Sequence, residues 1–433
     1  MLPWPRRGRR ATTTIRRRIT MKIGYIGLGA LGSQLARTFL RDHDLVVWDA
    51  HAPASEALRK DGARVAPSAA ALAADADVVL LCLPRSSDVR QVLFGQGGLA
   101  EGLSAGKLVI DQTSGIASDT RAMADELARH GVAMLDAAVS ASPHIVAQGG
   151  AVLMVGGSDE VFERALPVLR TVTSTIYRCG LRVGDGQAMK TVNNAMNAGV
   201  RLGTLEIVAL GRRAGLSLAA MSDLLNQGAA RNQTTVKMLP ALVEGKASTN
   251  FSLALQLKDV DQAVALGFDT GAPMPVTAAV RSLLQVGVNT LGKTAQLEDM
   301  VGLIESMAGT RLAGSDDTAE GTRIRFDGIG TPDVAKTIDD AVSALCLAIT
   351  EECVAVGVAY GLELPVLAEV LDKSSGWSAQ SQRLLPAWTA GGRQPRDPAW
   401  GDALLRAARL ALIAGAPTFV ANAVRAVVES PAR

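Results

Sequence analysis

The stretch Lys22-Ile23-Gly24-Tyr25-Ile26-Gly27-Leu28-Gly29-Ala30-Leu31-Gly32 decides how the first half of this chain folds. It opens as a short apolar strand, Lys22–Gly27, and runs into an amphipathic helical pattern, Leu31–Arg41. Between them, Gly27, Leu28, Gly29, Ala30, Leu31 and Gly32 spell G-x-G-x-x-G. In such a turn the first glycine permits the bend and the second lets the backbone approach a pyrophosphate. The third lets the helix pack closely on the strand. The amide-rich start of the helix then faces the phosphates. Alone the pattern is weak, because glycine turns are common. Here Asp49 follows twenty residues after Gly29, at the end of the next strand candidate. A carboxylate there accepts hydrogen bonds from the adenosine ribose and repels a 2′-phosphate. NAD is therefore the expected cofactor, ahead of NADP, although His51 and Arg59 lie close by in sequence.

Outward from that turn, β-type and helical runs alternate. The further strand candidates are Leu45–Asp49, Asp77–Leu83, Lys107–Asp111, Val132–Ala137 and Ala151–Val155, with helical stretches Ser68–Ala74 and Ser118–His130 among them. This alternation predicts an α/β domain over residues 21–183 with a Rossmann-type, doubly wound parallel sheet. Leu83-Pro84 ends one strand where proline turns the chain out over the cofactor edge. Asp111-Gln112-Thr113-Ser114 ends the next, with two hydroxyls near the expected nicotinamide. Taken singly, each reads better as an ordinary strand-to-helix turn with a Ser or Thr cap.

At 433 residues the chain is long enough for two or three domains. Aromatics make up only 3%, so Ala, Val and Leu do most of the packing. No apolar run reaches the roughly 18–20 residues of a bilayer span, and no membrane partner is expected. Seven arginines (Arg6, Arg7, Arg9, Arg10, Arg16, Arg17, Arg18) crowd residues 1–20; setting them aside turns the net charge of +2 into −5. That leader is expected to be disordered, with translation starting at Met21; a targeting peptide or nucleic-acid arm is the other reading. Nothing downstream has the character of a nucleic-acid surface. Cys82, Cys179, Cys346 and Cys353 form no CxxC pair and read as reduced core thiols of a cytoplasmic protein; no metal-ligand spacing appears.

After a strand-like run, Thr175–Cys179, Gly184-Asp185-Gly186-Gln187 opens a long helical pattern reaching Arg213. Lys190, Asn193, Asn194 and Asn197 lie near its start, and offsets of three, four and seven place them on one face. Three asparagines in a helix contradict local preference, and such violations mark functional sites. A solvated face would more often use Glu, Lys or Gln. The chemistry suits hydride transfer. A lysine whose pKa is lowered by burial can take a hydroxyl proton as hydride leaves the carbinol carbon.

The ordered motifs resemble the β-hydroxyacid dehydrogenases, a family that includes 3-hydroxyisobutyrate dehydrogenases and is related to 6-phosphogluconate dehydrogenase. They read Ile26 to Gly32, then Asp136-Ala137-Ala138-Val139-Ser140, then Gly184-x-Gly186-x-x-x-Lys190-x-x-Asn193-Asn194. Phe251, Lys258-Asp259 and Gly271-Ala272-Pro273 follow, so the resemblance spans roughly residues 22–309. It implies Lys190 as the catalytic residue with Asn194 as its helper, and Asn193 at the substrate. Ser140, with Ala141 and Ser142, falls in the loop that holds the substrate carboxylate. Lys258 is similar to the lysine closing over cofactor and substrate, and Ser114 to a nicotinamide contact. The implied substrate is a small β-hydroxy acid. Ala141 departs from the family's usual glycine and puts the standard C3–C4 acids in doubt, with His144 close by. An imine reductase and a non-catalytic dinucleotide sensor are the competing readings.

The helical part occurs twice. A shift of 146 residues aligns Lys190-Thr191 with Lys336-Thr337, Gly215-Leu216 with Gly361-Leu362, and Leu239-Pro240 with Leu385-Pro386. The expected organisation is a substrate domain at 184–310, a linker at 311–335 and a degenerate copy at 336–433. Asp339 and Asp340 replace two asparagines there, and Lys258-Asp259 has no counterpart. The copy is expected to pack on the first as a partner subunit does in single-copy relatives, and a homodimer of the whole chain is the further assembly considered.

Overall fold

A computed structural model describes residues 21–312, 331–392 and 397–430. The arginine-rich leader and most of the expected linker lie outside the described residues. The strands are β1 (Lys22–Ile26), β2 (Asp44–Trp48), β3 (Arg64–Val65), β4 (Val78–Leu81), β5 (Leu108–Asp111), β6 (Ala133–Ser140), β7 (Val152–Gly156) and β8 (Thr175–Gly180). They form one sheet in the order β3-β2-β1-β4-β5-β6-β7-β8. The helices over this part are α1 (Ala30–Thr38), α2 (Ala52–Lys60), α3 (Ala69–Asp75), α4 (Ser86–Phe94), α5 (Ala117–Ala128), α6 (Pro143–Ala147) and α7 (Asp159–Val172). Central strands β1, β4 and β5 are apolar on both faces, as a sheet with two covered faces requires.

Two features differ from the expectation. The sheet is not wholly parallel, because β6 and β7 pair antiparallel. Only residues 141–151 join them, too short a connection for a parallel crossover. Strand β3 and helix α2 fell between the expected elements; two residues at a sheet edge leave no periodicity to read.

The helical part continues with α8 (Asp185–Arg213), α9 (Leu218–Asn226), α10 (Leu239–Val243), α11 (Leu253–Thr270), α12 (Pro275–Leu291) and α13 (Met300–Ala308). The second copy comprises α14 (Thr331–Tyr360), α15 (Leu364–Asp372), α16 (Ala379–Thr389), α17 (Pro398–Ala414) and α18 (Phe419–Glu429). Helix α14 begins inside the expected linker, whose proline at 332 is tolerated in a first helical turn. The Asp333–Tyr360 stretch is apolar enough by composition to cross a bilayer, although polar residues interrupt its apolar run. It is mostly buried against α8, α17, α16 and α18, so its all-round apolarity belongs to a core helix.

Helices α8 and α14 cross about a local two-fold axis. A Cβ on Gly199 would come within 3.2 Å of Ile349, and one on Gly203 within 3.2 Å of Leu345. The shift of 146 turns 199 into 345 and 203 into 349, so each glycine meets the counterpart of the other. Glu206 accepts the amides of Phe419 and Val420 at the start of α18, at 3.0 and 2.9 Å. Its counterpart Glu352 accepts those of Val276 and Thr277 at the start of α12, at 2.9 and 2.7 Å. Asn232 and its counterpart Ser378 pair directly across the axis. Reciprocal contacts of this kind define an isologous interface, here formed within one chain.

Candidate active site

Each glycine of the first turn has its own structural reason. Gly27 has φ +92°, and a side chain there would strike the Cys82 carbonyl. A side chain on Gly32 would strike the Gly27 carbonyl, so only glycine lets α1 pack on β1. A Cβ on Gly29 would meet nothing within 4 Å, leaving open space over bare backbone at the start of α1. No side chain caps that helix, so its first amides are free for phosphate. Asp49 stands beside them: one carboxylate oxygen accepts the Leu28 amide at 2.6 Å and the other the His51 amide at 2.7 Å. These residues fit an adenine dinucleotide. Arg59 is held in a fork on Glu56 at 2.5–2.9 Å.

The start of α8 is fixed to the sheet by two buried carboxylates. Asp136 on β6 accepts the Gly184 and Gln187 amides at 2.6 and 2.7 Å. Asp111 on β5 accepts the Gln187 side chain at 3.0 Å and the Thr113 amide at 2.9 Å. Burial pushes Asp136 up to about 8 and Asp111 to about 6 against the pull of those donors. Gln187 also reaches the Thr113 carbonyl, tying the helix to the turn that carries Ser114.

The stripe on α8 meets two neighbours, α11 and the loop between α15 and α16. Lys190 is flanked by Asn194, whose amide donates to Asp259 on α11 at 2.7 Å. Asp259 pairs with Lys258 at 3.1 Å, and Lys258 donates to the Ser114 carbonyl at 2.9 Å and the Pro84 carbonyl at 3.4 Å. Gln262, one turn further on, donates to the same Ser114 carbonyl at 3.2 Å. The chain of contacts thus runs from the catalytic candidates to the turns at Leu83-Pro84 and Ser114. The Leu83 amide donates to the Thr113 hydroxyl at 3.1 Å. Lys190 itself makes no hydrogen bond among the described residues. Burial, with Lys258 adding repulsion, lowers its pKa to about 8, although Asp259 opposes the shift.

The other asparagines meet the second copy. Asn193 donates to the Ser375 hydroxyl at 3.0 Å and accepts the Gly376 amide at 2.9 Å. Asn197 donates to the Ser375 carbonyl at 2.6 Å. The loop between α15 and α16 therefore closes over the stripe. Nothing in its own sequence announced this role. At the related positions the symmetry fails: Asp339 and Ser343, counterparts of Asn193 and Asn197, keep buried oxygens without a hydrogen-bond partner among the described residues. Lys336 is bound by Asp340 at 3.0 Å, and Arg406 shares that carboxylate at 2.7 Å.

Ser140 ends β6 and Ser142 precedes α6. Among the described residues neither bonds to the stripe, and Ser142 meets His144 at 3.0 Å instead. Ala141 packs against the sheet core.

The NAD-binding domain of 6-phosphogluconate dehydrogenase matches residues 22–180. The NAD-binding domain of NADP-dependent 3-hydroxyisobutyrate dehydrogenase matches twice, at 184–304 and 330–430. The chain is 32% identical over 302 residues to 2-(hydroxymethyl)glutarate dehydrogenase of Eubacterium barkeri, covering 68% of this chain and 98% of that one. It is 31% identical to L-threonate dehydrogenase of Escherichia coli K12, covering 68% and 97%. The structure of Mycobacterium tuberculosis 3-hydroxyisobutyrate dehydrogenase with L-serine superposes with a TM-score of 0.61 at 26% identity, covering 66% of this chain and 99% of that one. Each relative is matched nearly end to end yet leaves about a third of this chain without a counterpart. The chain belongs to the β-hydroxyacid dehydrogenase family, as a nicotinamide-dependent oxidoreductase acting on CH–OH groups that carries the family's helical domain twice.

Proposed function

We propose that the chain oxidises a small β-hydroxy acid with NAD, with Lys190 as the general base. The observation that carries this is the Lys190 amine: half-buried, without a hydrogen bond among the described residues, and lowered to about 8 beside the Asn194–Asp259–Lys258 chain. A neutral amine takes the substrate hydroxyl proton, and in the reverse direction the ammonium returns it to the carbonyl oxygen. The nicotinamide, when bound, accepts the hydride from the carbinol carbon. Asn194, fixed by Asp259, orients the hydroxyl, and Lys258 holds the Ser114 turn against the ring. The carboxylate falls to Ser140–Ser142, with Ala141 shaping that end. The preference for NAD rests on Asp49 and on Arg59 being occupied by Glu56. The relatives' printed names, 2-(hydroxymethyl)glutarate and L-threonate dehydrogenases, support a hydroxy acid as the substrate class.

The test is NADH formation over a panel of 2- and 3-hydroxy acids, with NADP in parallel. Lys190→Ala is expected to lower kcat about 10²–10⁴-fold with NAD affinity unchanged. Turnover close to wild type in that variant would reject the assignment. A sensor would bind NAD in both forms and turn over in neither.

A further inference from the structure

A cavity of about 440 Å³ lies behind the Ser114 turn, where the nucleotide domain, the first helical copy and the second meet. It is bounded by the first turn of α5, by α8 and α11, and by the end of α14. One end is cationic. Arg121 and Arg182 flank the Tyr360 ring with their guanidinium carbons 5.8 and 4.9 Å from its centroid. Arg121 donates through Nη2 to the Tyr360 hydroxyl at 2.6 Å and through Nε to the Val183 carbonyl at 3.3 Å. Arg182 donates to the Tyr360 carbonyl at 3.1 Å and pairs with Asp185. Among the described residues each guanidinium keeps its Nη1 without a protein acceptor. The first turn of α5, uncapped by any side chain, lines the same end.

An anionic group lines the same cavity. Asp269 and Thr270 close α11, where the helix dipole is negative, and the Asp269 carboxylate has no cation partner among the described residues. The internal symmetry shows what the wall beside Asp269 lacks. Across the two-fold axis, Arg213 at the end of α8 donates to the Ala414 carbonyl at the end of α17 through Nε and Nη2, at 3.0 and 2.8 Å. The counterpart of Arg213 is Ala359; Gly271-Ala272-Pro273 recurs as Gly415-Ala416-Pro417, a shift of 144 here, so the counterpart of Ala414 is Thr270. Both line the cavity. Where one copy places a guanidinium against a helix C-terminus, the other leaves a space.

We propose that this cavity binds a zwitterionic α-amino acid. Its carboxylate lies toward Arg121 and Arg182, and its ammonium fills the place of the missing guanidinium, toward Asp269 and the end of α11. The volume suits a small ligand. Gln262 lines the cavity and donates to the Ser114 carbonyl, so an occupant touches the support of the nicotinamide turn. Such a ligand bridges three parts of the chain and stabilises their arrangement by mass action.

The test uses L-alanine, which lacks the hydroxyl that the Lys190 site acts on. Calorimetry on the NAD-loaded full chain is expected to show one L-alanine per chain and a raised Tm. Propionate and propylamine, each carrying one pole, are expected to bind at least about tenfold more weakly. Ala359→Arg rebuilds the side chain of the other copy and is expected to abolish L-alanine binding. Asp269→Asn, at an exposed position, is expected to weaken binding at least about tenfold, and it covers the case in which the arginine variant misfolds. Hydroxy-acid turnover without L-alanine is expected to persist in the asparagine variant. No binding of L-alanine to the wild-type chain, equal binding of propionate, or undiminished binding in both variants would overturn the proposal.

Discussion

The Gly376 amide donates to the Asn193 side chain at 2.9 Å, although 183 residues separate the two. A Cβ on Gly376 would stand 3.0 Å from both the carbonyl and the side-chain oxygen of Asn193. The bond therefore needs bare backbone. Gly376→Ala pushes the loop off the stripe and leaves the glycine turn near Asp49 untouched. The expected result is a fall in kcat of about 10- to 100-fold, the usual cost of displaced positioning groups, with NAD affinity unchanged. Steady-state kinetics beside NAD titration checks it; a lost NAD affinity would point to global damage.

With Lys190 as the proposed base, the pH dependence is expected to have opposite signs in the two directions. Oxidation needs the neutral amine, so its rate rises as pH passes about 8 and then levels. Reduction needs the ammonium and falls over the same range. Asp259 favours the charged form, so Asp259→Asn moves both inflections to lower pH. A pH profile of kcat/KM that is flat between about 6 and 10, two units either side of that pKa, would remove Lys190 from the proton transfer.

Most of the cofactor site was legible because its constraints are local. Gly27, Gly29 and Gly32 act within one turn, and Asp49 lies at a fixed distance along the chain. The Lys190 stripe was legible because three asparagines defy helix preference. Periodicity reports which face of a helix is special and leaves open what that face meets. The Ser375-Gly376 loop was invisible for that reason, being a distant turn with no unusual residue. The bond between Asp111 and Gln187 was invisible likewise, since it joins elements 76 residues apart. The antiparallel β7 was misread because alternation fixes a strand's faces and not its direction.

Gly29 and Gly32 should separate binding from folding. Gly29→Val points into open space, so Tm is retained while NAD affinity falls, because the side chain occupies the place of the pyrophosphate. Gly32→Val drives a side chain into the Gly27 carbonyl and is expected to lower Tm markedly. Thermal unfolding with and without NAD distinguishes the two. Equal loss of Tm in both would contradict the separate roles.

Glu206 couples the interface between the copies to pH. Burial raises its carboxyl from 4.5 to about 8 despite three amide donors. The folded chain holds that proton where the unfolded chain has released it. The contribution is full below about 4.5 and is lost as pH rises through about 8. Glu206→Gln keeps an acceptor for the α18 amides and removes the titration. Its stability is expected to vary less between pH 5 and 8, about the window between the two pKa values. Denaturant midpoints across that range provide the measurement, and an unchanged slope would show that Glu206 is ionised in the folded chain.

Removing the second copy tests whether the inner two-fold contact is part of the enzyme. A chain ending at residue 312 loses the Ser375 and Gly376 contacts to Asn193 and Asn197. It also uncovers the face of α8 around Gly199 and Gly203, and leaves Glu206 without the α18 amides. An apolar face of that kind drives self-association. The truncated chain is expected to associate or aggregate and to lose most of its turnover, while its glycine turn stays intact. Adding residues 331–433 as a separate polypeptide should restore part of the activity if the two copies recognise each other as subunits do. Light scattering with NADH assays reads both effects. A monomeric, fully active truncation would mean that Lys190, Asn194 and Asp259 suffice, and that the Ser375-Gly376 loop is packing alone.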